Sequence, residues 1–327
     1  MGDRVLTDWL LDSDPALRWQ VERDLLGAPS DVWRATRDRV ATEGFGARLL
    51  ALQDPDGRWA GGAYFPAAAP VTDAEGHAEE GQPWTATTWS LNALREWGLD
   101  PQVLRARRTP ELLAEHCRWE YDDLPYWEGE VDWCLNAYTL ANGAWLGVDV
   151  SGLMRRTLDG RQPDGGWNCA WVDGATVSSF HSTLNVLRGL LAHEELTGRD
   201  DEVRSARRTG EEYLLRRHLL RRLSTGEPVA PWVTRFAYPF RWYYSVLHAT
   251  DYFRRASLLD GTEPDPRLAE AVEVVRAARR PDGTWLQDRR HPGAVWFEVD
   301  APAGEPSRWL TLYATLVLRW WDERLPA

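Results

Sequence analysis

Three side chains of this sequence carry metal-capable donor atoms at related positions. Asp132 and Cys134 flank Trp133 in Glu130-Val131-Asp132-Trp133-Cys134-Leu135-Asn136-Ala137, and His181 stands in Ser179-Phe180-His181-Ser182-Thr183-Leu184-Asn185. Aligning Leu135-Asn136 with Leu184-Asn185 puts His181 at the phase of Asp132. Two helices would then start side by side, one offering a carboxylate and a thiolate, the other an imidazole. Oxygen, sulfur and nitrogen from three protein ligands suit zinc with one coordination position left open, as catalytic zinc requires. Such an ion holds a substrate thiol as thiolate, or lowers the pKa of a bound water. Each residue also has a plainer reading: Asp132 as a helix N-cap, Cys134 as a small buried hydrophobe, His181 as a satisfied helix-start histidine. A metal-free alternative makes Asp132 a general acid, acidified by a hydrogen bond from protonated His181. Glu130 and Glu128 are either general bases near the metal or solvated loop charges. Cys169, in the loop leading to His181, is a fourth ligand or a buried thiol. Asp173 either supports a ligand from behind or serves a turn.

Composition bounds these options. The chain has 327 residues, 43% hydrophobic and 27% charged, which describes a globular protein able to bury a large core. No apolar run reaches the ~20 residues that span a bilayer. The first residues, Met1 to Pro15, carry acids inside their short apolar stretch and do not read as a signal peptide, so a cytoplasmic protein is expected. Three cysteines, Cys117, Cys134 and Cys169, argue against a disulfide framework. A net charge of −12 argues against nucleic acid as a partner. The sequence contains no lysine, which excludes Schiff-base chemistry and a Walker lysine. Tryptophan is abundant, at 20 residues; most are expected to pack the core and a minority to line an apolar pocket.

Internal repeats indicate the elements that position these residues. Leu52-Gln53-Asp54-Pro55-Asp56-Gly57-Arg58-Trp59, Arg161-Gln162-Pro163-Asp164-Gly165-Gly166-Trp167 and Arg280-Pro281-Asp282-Gly283-Thr284-Trp285 share one pattern. In each, Pro presets φ, Asp bonds its own backbone, and Gly accepts positive φ. Such a turn stops a helix and folds the indole back against it. A second recurring piece is apolar nearly all round, as in Thr88-Trp89-Ser90-Leu91-Asn92, and predicts buried inner helices. Inner helices are predicted near 84–97, 132–146, 180–196, 241–258 and 307–322. Amphipathic outer helices are predicted near 44–53, 102–117, 151–161, 201–220 and 265–280. Two more precede them, near 15–26 with Asp14 as cap and Pro15 in the first turn, and near 30–42 with Ser30 as cap. Five or six helical hairpins that cannot bury their inner faces alone should close into a ring. The expectation is therefore an all-α, single-domain α/α toroid. Residues 1–43 would complete the ring and 44–323 would form the repeats. The long loops at 60–83, 120–131, 168–179, 224–240 and 286–306 are candidates for function; His77, in the first, reads as exposed. Trp84, Trp89, Tyr138, Tyr244, His248 and Trp309 are the expected cavity lining.

The Pro-Asp-Gly-x-Trp turns resemble the QW-type repeats of squalene and oxidosqualene cyclases and of protein prenyltransferase β subunits. The resemblance covers about residues 44–323 and implies the α/α toroid of that superfamily. In the prenyltransferases an Asp-x-Cys pair and a later His bind the catalytic zinc, and Asp132, Cys134 and His181 match that motif residue by residue. The resemblance thus implies a thiolate attacking C1 of a prenyl diphosphate. In the cyclases an Asp-x-Asp-Asp motif begins the corresponding helix and its middle Asp protonates the substrate. Here Glu130-Val131-Asp132-Trp133 keeps part of it, and Glu120-Tyr121-Asp122-Asp123 is reminiscent of it at another phase. One departure matters. Prenyltransferases carry basic residues just before Asp-x-Cys, whereas this chain has Tyr126-Trp127-Glu128-Gly129-Glu130. Arg235 and Arg241, among the aromatics of residues 232–244, and Arg308 are the candidate replacements for gripping an anion. Nothing in the sequence points to a partner α subunit. The expected function is a zinc-dependent transferase acting on an apolar, isoprenoid-like small molecule. The alternatives are a metal-free cyclase with Asp132 as acid, and a non-catalytic toroid binding a hydrophobic ligand around structural zinc.

Overall fold

The three Pro-Asp-Gly turns fold alike. In the computed structural model, which describes residues 3–68 and 81–324, Gly57, Gly165 and Gly283 adopt φ of +86°, +105° and +89°. A Cβ is strained in that region. The amide of each glycine donates 2.9 Å to a carbonyl three residues back, that of Asp54, Gln162 or Arg280. The tryptophan that follows turns inward. Trp59 Nε1 donates to Leu49 O at 2.9 Å and Trp285 Nε1 to Val275 O at 2.8 Å, carbonyls in the last turn of the preceding helix. Helix ends leave such carbonyls without an i+4 amide, so one indole both buries itself and satisfies a helix terminus. Trp59, Trp167 and Trp285 have essentially no exposed surface. Their backbone amides donate to Thr87, Thr183 and Thr311 Oγ1, each at 3.1 Å.

The fold is all-α; among the described residues the strands amount to one antiparallel pair, Trp285–Leu286 with Pro306–Ser307. The chain forms two compact units. One takes in residues up to Leu10, Gly160–Arg290 and those from Asp300 on; the other takes in Leu11–Asp159 and His291–Val299. Helix α1 (Asp3–Leu11) opens the chain.

In the unit beginning at Leu11, α2 (Pro15–Gln20) is capped by Asp14, whose carboxylate accepts from Ala16 N at 2.9 Å, and it continues as a π-helical turn at Val21–Leu25. Next come α3 (Ser30–Asp38), α4 (Gly44–Leu50), α5 (Thr87–Glu96), α6 (Pro101–Ala106), α7 (Thr109–His116), α8 (Trp133–Leu146) and α9 (Ser151–Asp159). Two expectations change here. Ser30 lies inside α3, and Pro29, which has no capping side chain, holds the cap position. The outer helix predicted over 102–117 is two helices, because Arg108 adopts φ of +56° and Pro110 opens the second. Proline inside a helix would lose a hydrogen bond and clash with the preceding turn, whereas in a first turn it costs nothing. Helix α8 is buried on nearly every face, as its all-round apolar sequence requires. His77 lies outside the described residues.

The other unit contains α10 (Phe180–Thr197), α11 (Asp201–Leu215), α12 (Val246–Asp260), α13 (Ala269–Ala277) and α14 (Arg308–Arg324). The inner helix predicted from 241 starts at Val246, where Ser245 caps it by accepting from His248 N at 3.2 Å. Helices α10, α11 and α12 meet around Arg207, whose side chain is wholly buried. Its guanidinium donates to Glu194 at 2.5 Å, Glu211 at 3.0 Å and Asp260 at 3.0 Å. The Tyr252 hydroxyl donates to Glu211 at 2.6 Å. A charge this deep is tolerated only when paired and hydrogen-bonded throughout.

Candidate functional site

The head of α8 gathers acids against an aromatic cluster. Asp132 occupies the N-cap position, but its side chain makes no capping hydrogen bond. Glu130 supplies an oxygen there instead: its Oε2 accepts from Asp132 N–H at 2.5 Å. Asn136, one turn into the helix, holds the Glu130 backbone from both sides. Its Oδ1 accepts from Glu130 N at 2.7 Å, and its Nδ2 donates to Glu130 O at 2.8 Å. Glu128 is exposed and Glu130 is buried, so of the two sequence candidates only Glu130 is removed from water. Burial raises the Glu130 pKa from its ordinary value against the opposing amide hydrogen bonds from Asp132 and Val131, and the charges of Asp132 and Glu120 push it the same way as burial. The Glu120 carboxylate is held by the amides of Ala63, Tyr64 and Phe65.

Tyr64 leads to the aromatic cluster. Its ring lies 5.4 Å from Trp89, which packs edge-on against Trp84 at 4.7 Å and Tyr138 at 5.5 Å. The structure therefore brings together the expected residues Trp84, Trp89 and Tyr138, all nearly fully buried. Cys134 and Tyr138 are four residues apart on α8 and share a face of the helix. Cys134 is partly exposed. The Trp89 indole N–H is buried without a hydrogen-bond partner among the described residues.

His181 belongs to the other unit, in the first turn of α10 behind its cap Ser179. Aromatic rings surround it: Trp232 at 4.5 Å, Trp242 at 5.8 Å, Tyr244 at 6.3 Å and Tyr243 at 6.5 Å between ring centroids. Burial pushes the imidazole down to about 4, and the Arg289 guanidinium adds to the shift. At neutral pH the ring is uncharged. The protonated His181 that would acidify Asp132 is therefore not the resting form.

The other expected residues have identifiable places in the same unit. Tyr244 is core, its hydroxyl donating to Leu219 O at 2.6 Å. His248 is buried and stacked on Phe240 at 4.2 Å, with Nδ1 3.0 Å from Tyr243 O. Trp309 stacks on Tyr238 at 4.4 Å and is buried. Arg235 is exposed; Arg241 is partly exposed, with φ of +52°. Arg308 Nε donates to Trp9 O at 3.0 Å. Cys169 is partly exposed and Asp173 exposed, both in a short 3-10 turn whose Cys169 amide donates to Ser182 at 3.0 Å.

Asp132 and Cys134 lie in one unit and His181 in the other. Among the described residues no group of three or more His, Cys, Asp or Glu side chains is placed to hold a metal ion. No chemical step is derived through zinc.

No protein family model matches the chain. Among curated proteins, too, none matches. Among solved structures it is similar to the crystal structure of a protein from Actinoplanes, at 18% identity and a TM-score of 0.47, over 98% of each chain. Among the described residues no helix is long and apolar enough to cross a membrane.

Sequence reasoning missed Arg289, Trp232, Trp242 and Tyr243. The segment 232–244 drew attention for its arginines, yet it is its aromatic rings that reach His181. The run Trp242-Tyr243-Tyr244 was the available signal. For Arg289, one of two adjacent arginines in a long loop, the sequence offered none.

Proposed function

We propose that the chain is an enzyme that protonates an unsaturated, apolar, isoprenoid-like small molecule, with Glu130 as proton donor and Asp132 as its companion acid. One observation carries this reading. The Glu130 carboxyl is buried and bonded to the Asp132 amide, at the head of the helix whose next turns carry Tyr138 against Trp89. A neutral carboxyl is the form that gives a proton, and burial beside like charges favours it. In the step, the π electrons of a carbon–carbon double bond take the Glu130 proton, leaving a carboxylate and a carbocation. Loss of a proton from a neighbouring carbon, back to a carboxylate, completes an isomerisation or cyclisation with no other reactant. Aromatic faces such as those of Trp84, Trp89 and Tyr138 stabilise a nearby cation by about 0.5–2 kcal/mol each. The resemblance of the repeats to cyclases supplies the substrate class.

The test is turnover in D₂O of a panel of isoprenoid alcohols, diphosphates and hydrocarbons, with deuterium incorporation read by mass spectrometry. Glu130→Gln should cut incorporation by at least ~100-fold, the scale of general acid catalysis, with melting temperature unchanged. A folded Glu130→Gln protein that still incorporates deuterium at the wild-type rate overturns the assignment. Failure of the whole panel overturns the substrate class. About one zinc per chain, lost in Cys134→Ala, would instead favour the zinc-dependent transferase.

A further inference from the structure

A second constellation, independent of Glu130, surrounds His181. Its most unusual member is Arg289. The guanidinium lies 5.3 Å from the Tyr243 ring centroid and close enough to His181 to disfavour its protonation. Arg289 is only partly exposed and has no carboxylate partner among the described residues, while its Nε is buried with no hydrogen-bond partner among them. The neighbouring acid, Asp288, is engaged elsewhere, accepting from Phe236 N at 2.6 Å. The surface arginines Arg221, Arg267 and Arg276, by contrast, all pair with acids. The Tyr243 ring offsets part of the cost of burying the Arg289 Nε, and an anion would supply the hydrogen bond it lacks. A second orphan donor shares Tyr243 as a neighbour. Trp242 stacks on Tyr243 at 3.9 Å, and its indole N–H is buried with no partner among the described residues.

We propose that Arg289, the Trp242 indole N–H and the His181 imidazole form a recognition site for a monocarboxylate carried on a flat apolar body, with Trp232 and Tyr243 beside it. The charge count selects the ligand. One guanidinium matches a single negative charge; a diphosphate would bring more charge than one guanidinium can offset. The planar fork of arginine fits a carboxylate through two parallel hydrogen bonds. The aromatic surroundings, with Trp232 tilted against His181 at 4.5 Å between ring centroids, favour a flat hydrophobic group.

The probe is 1-naphthoate, with 1-naphthalenemethanol as its uncharged counterpart and inorganic pyrophosphate as the competing anion class. Binding is measured by calorimetry and by the NMR titration of the His181 ring. The full chain should bind naphthoate saturably and the alcohol at least ~10-fold more weakly, since charged hydrogen bonds are the stronger ones. Arg289→Gln should weaken naphthoate by at least ~10-fold and Trp242→Phe by less, while the alcohol is unaffected. In the unliganded protein Arg289→Gln should raise the His181 pKa, and naphthoate should raise it in the wild type. Equal affinity for acid and alcohol overturns the proposal. So does unchanged naphthoate binding in Arg289→Gln, pyrophosphate binding tighter than naphthoate, or no naphthoate binding at millimolar concentration. None of these results bears on deuterium incorporation through Glu130, so the two proposals fail separately.

Discussion

Arg207 offers the sharpest test of how this chain is held together. Arg207→Met keeps most of the side-chain volume and removes the charge. It leaves Glu194, Asp260 and Glu211, at side-chain exposures of 1%, 7% and 14%, with Arg204 as the remaining basic partner, 2.8 Å from Asp260 and 3.8 Å from Glu194. Breaking a buried ion pair by removing one partner costs about 3–5 kcal/mol, because the remaining charge is left without its full compensation. Adding up each lost hydrogen bond would overshoot that figure, since the bonds share one guanidinium. At about 2–4 °C per kcal/mol for a folding unit of 150–250 residues, the melting temperature at pH 7.5 should fall by about 6–20 °C. The pH dependence follows. Burial already raises the Glu211 pKa in the native protein, and losing Arg207 removes an opposing attraction. The folded-state pKa of Glu211 then rises further above its unfolded value near 4. The stability tied to its protonated form is present at low pH and lost as pH rises through the folded value, so the deficit of the variant should shrink between pH 7.5 and about 5. Calorimetry across that range is the assay. A fall of less than ~2 °C at pH 7.5, or a deficit that grows on acidification, would refute the reasoning. Adding Glu194→Gln and Asp260→Asn to Arg207→Met should restore part of the loss.

Trp285→Phe removes the indole bond to Val275 O and leaves a small void, so it should cost about 2–3 kcal/mol in urea titration. Trp59→Phe should cost the same within ~1 kcal/mol because the geometry repeats, and a neutral effect at either site would contradict the role given to the turn. Burial lifts Asp300 to about 6 even though Ser307 donates to it. Stability tied to its protonated form should therefore be lost as pH rises from about 4 to 6; Asp300→Asn should flatten the pH profile there, and an unchanged profile would count against it. Burial pushes the Cys117 thiol up to about 12, so labelling mapped by mass spectrometry should spare Cys117 in the native protein and reach it only in denaturant.

The sequence disclosed the repeat because its signals are local. Pro, Asp and Gly act locally: φ is positive at Gly57, Gly165 and Gly283, and Asp56 and Asp282 accept from the amide two residues on, whereas Asp164 accepts from Ser178 instead. The inward tryptophans and the all-round apolar α8 were legible for the same reason. Helix limits were less so: Ser245 beginning α12 and Pro110 dividing the 102–117 segment were present as signals but outweighed by hydrophobic periodicity. The candidate sites were only half legible. Trp84, Trp89 and Tyr138 were expected to line a site and do meet. Which of Glu128 and Glu130 is buried depends on Asn136 folding back on the Glu130 backbone, a contact that spacing alone does not specify. The partners of Arg207 lie at 194, 211 and 260, and Arg289 reaches the ring of Tyr243; both arrangements are set by tertiary packing, which leaves no local trace.

The same 3.1 Å bond from a tryptophan amide to a threonine hydroxyl closes intervals of 28, 16 and 26 residues. The frame is therefore indifferent to how much chain lies between its two anchor points. Closing a longer loop costs only ~0.6 kcal/mol for each doubling, less than one such hydrogen bond returns. Evolution, or an engineer, can lengthen, shorten or replace these intervals without renegotiating the helices on either side, which makes them the natural ground on which new specificity would be written.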